Sequence, residues 1–214
     1  EPLIGIEERS VPQELRQATA ATQPYPIGES VVPLQVDVPP LGFELINEGR
    51  IFTPFYGPDP VVIRPSIWGG ASWPPSSYDP ERALLYVCAS DFPGTFSGGH
   101  LEMEDPVEGE AWLGGSFGTP GIPRMGQFVA MDVKTNTAAW RVQWPDQCYS
   151  GSVSTAGGLV FTGRNDGRII ALDSDNGKLL WEFQTGAGLN SPASVFEHDG
   201  QQYVAVLSGG NSLI

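Results

Sequence analysis

The apolar positions come in short runs separated by turn residues. Residues 158–163 (GLVFTG) lead through Asn165, Asp166 and Gly167 into residues 168–172 (RIIAL). Two brief apolar runs joined by an Asp-Gly turn predict a β-hairpin. Residues 202–207 (QYVAVL) follow His198, Asp199 and Gly200 and predict a second hairpin. Residues 83–87 (ALLYV) follow Tyr78, Asp79 and Pro80 and read as an earlier copy of the same element. Upstream, strand signals are scattered, as at residues 31–38.

An internal repeat organises these runs. Residues 130–140 read AMDVKTNTAAW and residues 171–181 read ALDSDNGKLLW, an offset of 41. Each copy predicts a strand ending at Asp, a turn, and a strand entered through Trp. Gly177 suits the positive φ of the second turn, and Asn136 stands at the equivalent place in the first. In each copy the Asp is placed to accept hydrogen bonds from its turn. Trp140 and Trp181 are placed to pack on the neighbouring unit.

Composition then fixes the class. Gly and Pro together supply 47 of the 214 residues, a density that few helices survive. The class is all-β. A four-stranded unit of about 40 residues, repeated, is the length of a β-propeller blade. A solenoid or sandwich leaves the paired Asp and Trp unexplained. The prediction is therefore about three to four four-stranded antiparallel blades, an incomplete ring needing further blades from the same polypeptide or a partner chain. Residues 1–65 read as a Pro-rich blade remnant and connecting segment. Residues 66–214 carry the blades, with an acidic, Gly/Pro-rich insertion at about 92–124.

Charge narrows the partners. Eleven Lys and Arg against 25 Asp and Glu give a net −14, which disfavours nucleic acid and anionic membrane surfaces. No apolar run has the length of a membrane span. The first residues, EPLIGIEERS, have neither the basic nor the apolar region of a signal peptide, and no Met precedes them. The expectation is a processed chain or a piece of a longer one. Cys88 and Cys148 cannot build a disulfide framework. Two readings stand: a bridge, favouring an oxidising compartment, or two buried thiols.

Three segments together resemble the C-terminal part of quinoprotein dehydrogenases: residues 69–90 (GGASWPPSSYDPERALLYVCAS), 148–188 and 198–213. The resemblance implies an eight-bladed periplasmic propeller that uses pyrroloquinoline quinone and Ca²⁺. It implies that the repeated Trp segment is the family's tryptophan-docking motif. The family's cofactor-contacting Asn-Trp pair falls on Ser72 and Trp73, with Ser in place of Asn. Its second Trp falls on Tyr149, followed by Ser150. Its last contact falls at Gly209, Gly210 and Asn211, where no Trp stands. The family's catalytic base, Ca²⁺ ligands and vicinal disulfide come from other blades, so no catalytic or metal residue is assigned here. The resemblance also implies a cytochrome or quinone electron acceptor. The alternative is a non-catalytic scaffold or protein-binding propeller.

Other motifs carry less. Gly114, Ser116 and Gly118 match the spelling of a nucleophile elbow, but Pro120 and Pro123 forbid the required helix. Gly186 and Gly188 read as a link between units, not a dinucleotide loop. Asp173, Asp175 and Gly177 resemble a calcium loop, but the glycine comes one position early and Gln184 replaces the closing Glu. Glu102, Glu104, Asp105, Glu108 and Glu110 read as a solvated acidic loop. Neither His100 nor His198 has a ligand partner at a recognisable spacing.

Overall fold

The computed structural model describes residues 60–66, 70–98, 107–110, 115–121 and 123–210. Its strands in chain order begin with β1 (Val61–Ile63), β2 (Ser77–Asp79), β3 (Leu84–Asp91), β4 (Gly94–Gly98) and β5 (Gly115–Gly118). There follow β6 (Met125–Asp132), β7 (Thr137–Trp144), β8 (Ser152–Ser154) and β9 (Leu159–Gly163). The last are β10 (Arg168–Asp173), β11 (Leu179–Gln184), β12 (Ser194–His198) and β13 (Gln201–Ala205). Every pairing is antiparallel.

Two four-stranded sheets dominate, ordered β2-β3-β6-β7 and β8-β9-β10-β11. Each is an up-and-down meander, which is what a repeat of hairpins produces. The second contains the Asp-Gly hairpin expected at residues 158–172, with Ile169 opposite Gly163. The expected hairpin around Asp199 and Gly200 is β12-β13. Among the described residues this third unit has these two strands. The first sheet is interrupted between β3 and β6, where the insertion sends out the β4-β5 hairpin. That hairpin pairs with β1, joining the insertion to the segment before residue 65. The strand signals at residues 31–38 lie outside the described residues.

The repeat folds as its spacing predicts. Asp132 Oδ1 accepts from Lys134 N at 2.8 Å, and Asp173 Oδ1 accepts from Asp175 N at 2.8 Å. Asn136 and Gly177 both hold left-handed backbone, at φ 56° and 72°. Period-2 alternation sorts β3 between two cores. Tyr86 and Cys88 join Phe128, Trp140, Trp144, Cys148, Val160, Ile170 and Leu172 in a cluster between the two large sheets. Val87 points the other way, to Val129 and Met131. The far face of the second sheet packs Phe161, Ile169 and Ala171 on Leu189 and Ala193.

Trp140 locks the first sheet to the second. Its indole Nε1 donates to the Ser174 carbonyl at 3.0 Å, and Tyr86 Oη donates to the same oxygen at 3.1 Å. The ring lies so close on Gly177 that a Cβ there would fall 2.5 Å from Trp140 Cε3. Gly177 is thus required twice, by its φ and by the ring above it. Nearby, Arg82 bridges Asp79 of the first sheet, at 2.9 Å, and Asp175 of the second, at 2.7 Å. Trp181 behaves differently from the expected packing. It is 50% exposed and stacks on Phe183 of its own strand. Among the described residues, β12-β13 brings no turn like residues 174–177 to lie on it.

Candidate functional site: an aromatic pair at a sheet junction

The link from β7 to β8 crosses from the last strand of one sheet to the first strand of the next, an edge strand in each case. Cys148, within it, is bonded to Cys88 of β3, with the Cα atoms 5.3 Å apart. Both thiols are therefore consumed, and the bridge reading of the cysteines holds. Ser90 lies two residues after Cys88, so it faces the same side of β3. Its Oγ donates to the Cys148 carbonyl at 3.1 Å.

Tyr149 comes next and is half-buried, between two fully enclosed residues. Cys148 is 1% exposed and Ser150 is fully buried. Ser150 Oγ accepts from the Gly163 N–H at 2.7 Å, so this hydroxyl is turned into the protein. Gly151, at φ 82°, packs on Pro75. Ser152 then ties the link to the first sheet. Its N–H donates to the Pro75 carbonyl at 2.9 Å, and its Oγ donates to the Tyr86 carbonyl at 3.0 Å.

The segment before β2 arrives at the same place from the other side. Gly70 O accepts from the Ser90 N–H at 3.0 Å. Three residues on, Trp73 meets Tyr149 edge to face, with ring centroids 4.7 Å apart. Pro74 is buried beside it, yet Trp73 is 53% exposed. Trp73 is therefore held against another aromatic ring while about half of its surface meets solvent. Ser72 is exposed next to it.

The structure therefore brings Trp73 and Tyr149 together, with Ser72 adjacent and Ser150 behind them. Gly209 and Gly210 lie at another junction. Gly210 N donates to the Gly188 carbonyl at 2.8 Å, and a Cβ on Gly210 would fall 2.4 Å from Asn190 Nδ2. Asn211 lies outside the described residues.

Charge in the first sheet is gathered into ion pairs at both ends of β3. Asp91, the last residue of β3, is 1% exposed and takes the Arg64 guanidinium on both oxygens, with Gln127 Nε2 at 3.0 Å. Removing either side would strand a buried charge. At the opposite end of the sheet, burial pushes the Asp79 carboxyl up, but hydrogen bonds from Arg82 and Glu81 outweigh it. Asp79 is held below the ordinary carboxylate range. Burial raises the Tyr86 phenol, against its bond to Ser174. Among the described residues no cluster of His, Cys, Asp and Glu could hold a metal ion. Ser116 lies in β5, with its Oγ 2.6 Å from Ser97 Oγ. His198 is exposed, with Nε2 at 3.4 Å from Asp199.

Sequence reasoning offered the Cys88–Cys148 bridge as one of two readings and did not single out Ser90. Their signal was present in the alternation of Tyr86, Cys88 and Ser90 along one face of β3, which aims all three at the following sheet.

Comparison with known proteins agrees with this architecture. The model of the PQQ glucose/ethanol/alcohol dehydrogenase β-propeller domain matches residues 1–204. The quinoprotein ethanol dehydrogenase of Pseudomonas aeruginosa is 36% identical over 154 residues, which is 70% of this chain and 24% of that protein. The 1-butanol dehydrogenase (quinone) of Thauera butanivorans is 36% identical over 151 residues, with the same coverage of each. The crystal structure of quinohemoprotein alcohol dehydrogenase from Comamonas testosteroni superposes with a TM-score of 0.63 at 30% identity, covering 72% of this chain and 24% of that one. The chain thus spans about a quarter of the length of these relatives. It belongs to the family of PQQ-dependent glucose/ethanol/alcohol dehydrogenase β-propeller domains.

Proposed function

We propose that this chain is part of an exported, periplasmic quinoprotein dehydrogenase that oxidises an alcohol, sugar or related hydroxyl compound, and that it forms one wall of the quinone site. The observation that carries this reading is the edge-to-face Trp73–Tyr149 pair at the junction of two sheets, with about half of the Trp73 surface open to solvent. A planar, polar heteroaromatic ring fits such a surface: the indole offers a flat face, and Tyr149 adds a phenolic tip. Ser72 adds a hydroxyl on the same side, with a shorter reach than an amide. When bound, pyrroloquinoline quinone supplies the redox chemistry, taking two electrons from the substrate for later delivery to a cytochrome or quinone acceptor. What this chain's residues do is orient the ring edge and exclude water from it. Gly209 and Gly210, at the next junction, would continue the wall from the neighbouring unit. The base and the Ca²⁺ ligands of the parent protein lie on other blades.

In the same reading, the Trp140 contact with Gly177 is the family's docking motif, and Trp181 is its counterpart for the next blade. The test is titration of the whole protein with pyrroloquinoline quinone and Ca²⁺, following tryptophan fluorescence. Saturable quenching that weakens in Trp73→Ala, with an unchanged unfolding midpoint, supports the reading. Absence of binding by the folded protein leaves the non-catalytic scaffold as the better account.

A further inference from the structure

We propose that Cys88 and Ser90 of β3 form a positioning bracket that holds Trp73 and Tyr149 edge to face, so that the interblade disulfide belongs to the cofactor wall as well as to the fold. This rests on the reading of that pair as a quinone contact. Both segments of the pair hang from one strand. The Ser90 N–H holds Gly70, three residues before Trp73, while Ser90 Oγ holds the carbonyl of Cys148, one residue before Tyr149. The Cys88–Cys148 bond fixes the same residue covalently. Ser90 and both half-cystines are buried, at 4%, 1% and 1% exposure, so none of the three touches a ligand; they act through the rings they place.

The geometry makes the two attachments complementary. Without the bridge, Cys148 keeps one hydrogen bond to β3, and the link, still tied further on by Ser150 and Ser152, loses its covalent hold beside Tyr149. Without the hydroxyl, the bridge still tethers Cys148 but leaves its carbonyl free to turn, and Tyr149 turns with it. Either loss opens the 4.7 Å contact while leaving the β-ladders intact. Reductant in the compartment would act in the same way as cysteine replacement.

The test uses the whole protein carrying Ser90→Ala, or the double change Cys88→Ala with Cys148→Ala, each with and without Tyr149→Ala. The readouts are the near-ultraviolet circular dichroism of the aromatic pair and the Kd for pyrroloquinoline quinone. The expected result is a weakening of about 5- to 20-fold in the cysteine variant and about 3-fold in Ser90→Ala, the range of coupling between residues in contact. Ser90→Thr restores most of the loss. On the Tyr149→Ala background both changes cost little more, because the ring they position is gone. Additive losses on that background, or an unaltered aromatic signal in Ser90→Ala, overturn the bracket. Failure of the unmodified protein to bind the quinone sinks the cofactor reading instead, while the aromatic signal still decides the bracket.

Discussion

Two junctions follow from one repeated segment, and they differ. Trp140 and Trp181 occupy equivalent places 41 residues apart, each on the outer strand of a four-stranded sheet. Trp140 is 9% exposed, beneath it lies Gly177, and its N–H has a carbonyl partner. Trp181 is 50% exposed, in a row with Phe183, on which it stacks, that faces solvent. The same residue is a lock in one case and a free surface in the other. Among the described residues, what differs is the next sheet: the first junction meets a four-stranded meander with a Gly-bearing turn, the second the β12-β13 hairpin. A tryptophan that packs across a sheet junction is thus half of an interaction, and its energy resides in the neighbour.

The largest effect that sharpens this contrast is Trp140→Ala. Emptying a buried indole site costs about 3–5 kcal/mol, so chemical denaturation of the variant should show a large drop in midpoint. Trp181→Ala should cost about 1 kcal/mol or less, since half of the ring already meets water. Equal losses would break the comparison.

Next comes the bridge across the first junction. Cys88→Ala with Cys148→Ala should lower stability by about 2–5 kcal/mol, read as a fall in Tm that reductant reproduces in the unmodified protein.

Gly177→Ala forces a methyl both into left-handed backbone and into the Trp140 ring, so a loss of about 1–3 kcal/mol is expected. Asn136→Gly, at the equivalent turn, should change stability by a few tenths of a kcal/mol, because glycine adopts the same left-handed backbone without adding a Cβ. Urea titration of both variants measures the difference.

The smallest effect is that of acid. Asp79, with Arg82, ties the first junction to Asp175, and its folded-state pKa is depressed. Its contribution is therefore present above the unfolded carboxylate value and is lost as pH falls through the lower folded value. Stability measured from pH 6 down to pH 3 should decline less steeply in Asp79→Asn than in the unmodified protein, from a lower starting point.

Much of the first junction was legible in advance, for local reasons. The Asp that caps each turn, the Asn or Gly at positive φ and the Trp beyond them are fixed by backbone geometry over about ten residues, and spacing displays such patterns. Hairpins were legible for the same reason: Asp166-Gly167 and Asp199-Gly200 each close a short loop between apolar runs. The insertion was visible as a change in composition, but its pairing with β1 was not, because a three-residue edge strand leaves almost no periodic signal. Of the proposed site, the resemblance selected Trp73 and Tyr149. Their meeting depended on a long-range placement that no local pattern records.

By itself the sequence determined the all-β class, the repeat, the turn chemistry and the family of propeller domains, since each is written in neighbouring residues or in their period. Tertiary structure decided the rest. It bonded Cys88 to Cys148 across 60 residues, exposed Trp73 while holding it on Tyr149, turned the Ser150 hydroxyl inward and buried one tryptophan of the repeat but not the other. The physical reason is common to all four. Burial and pairing are properties of what lies opposite a residue, and here that neighbour comes from another sheet.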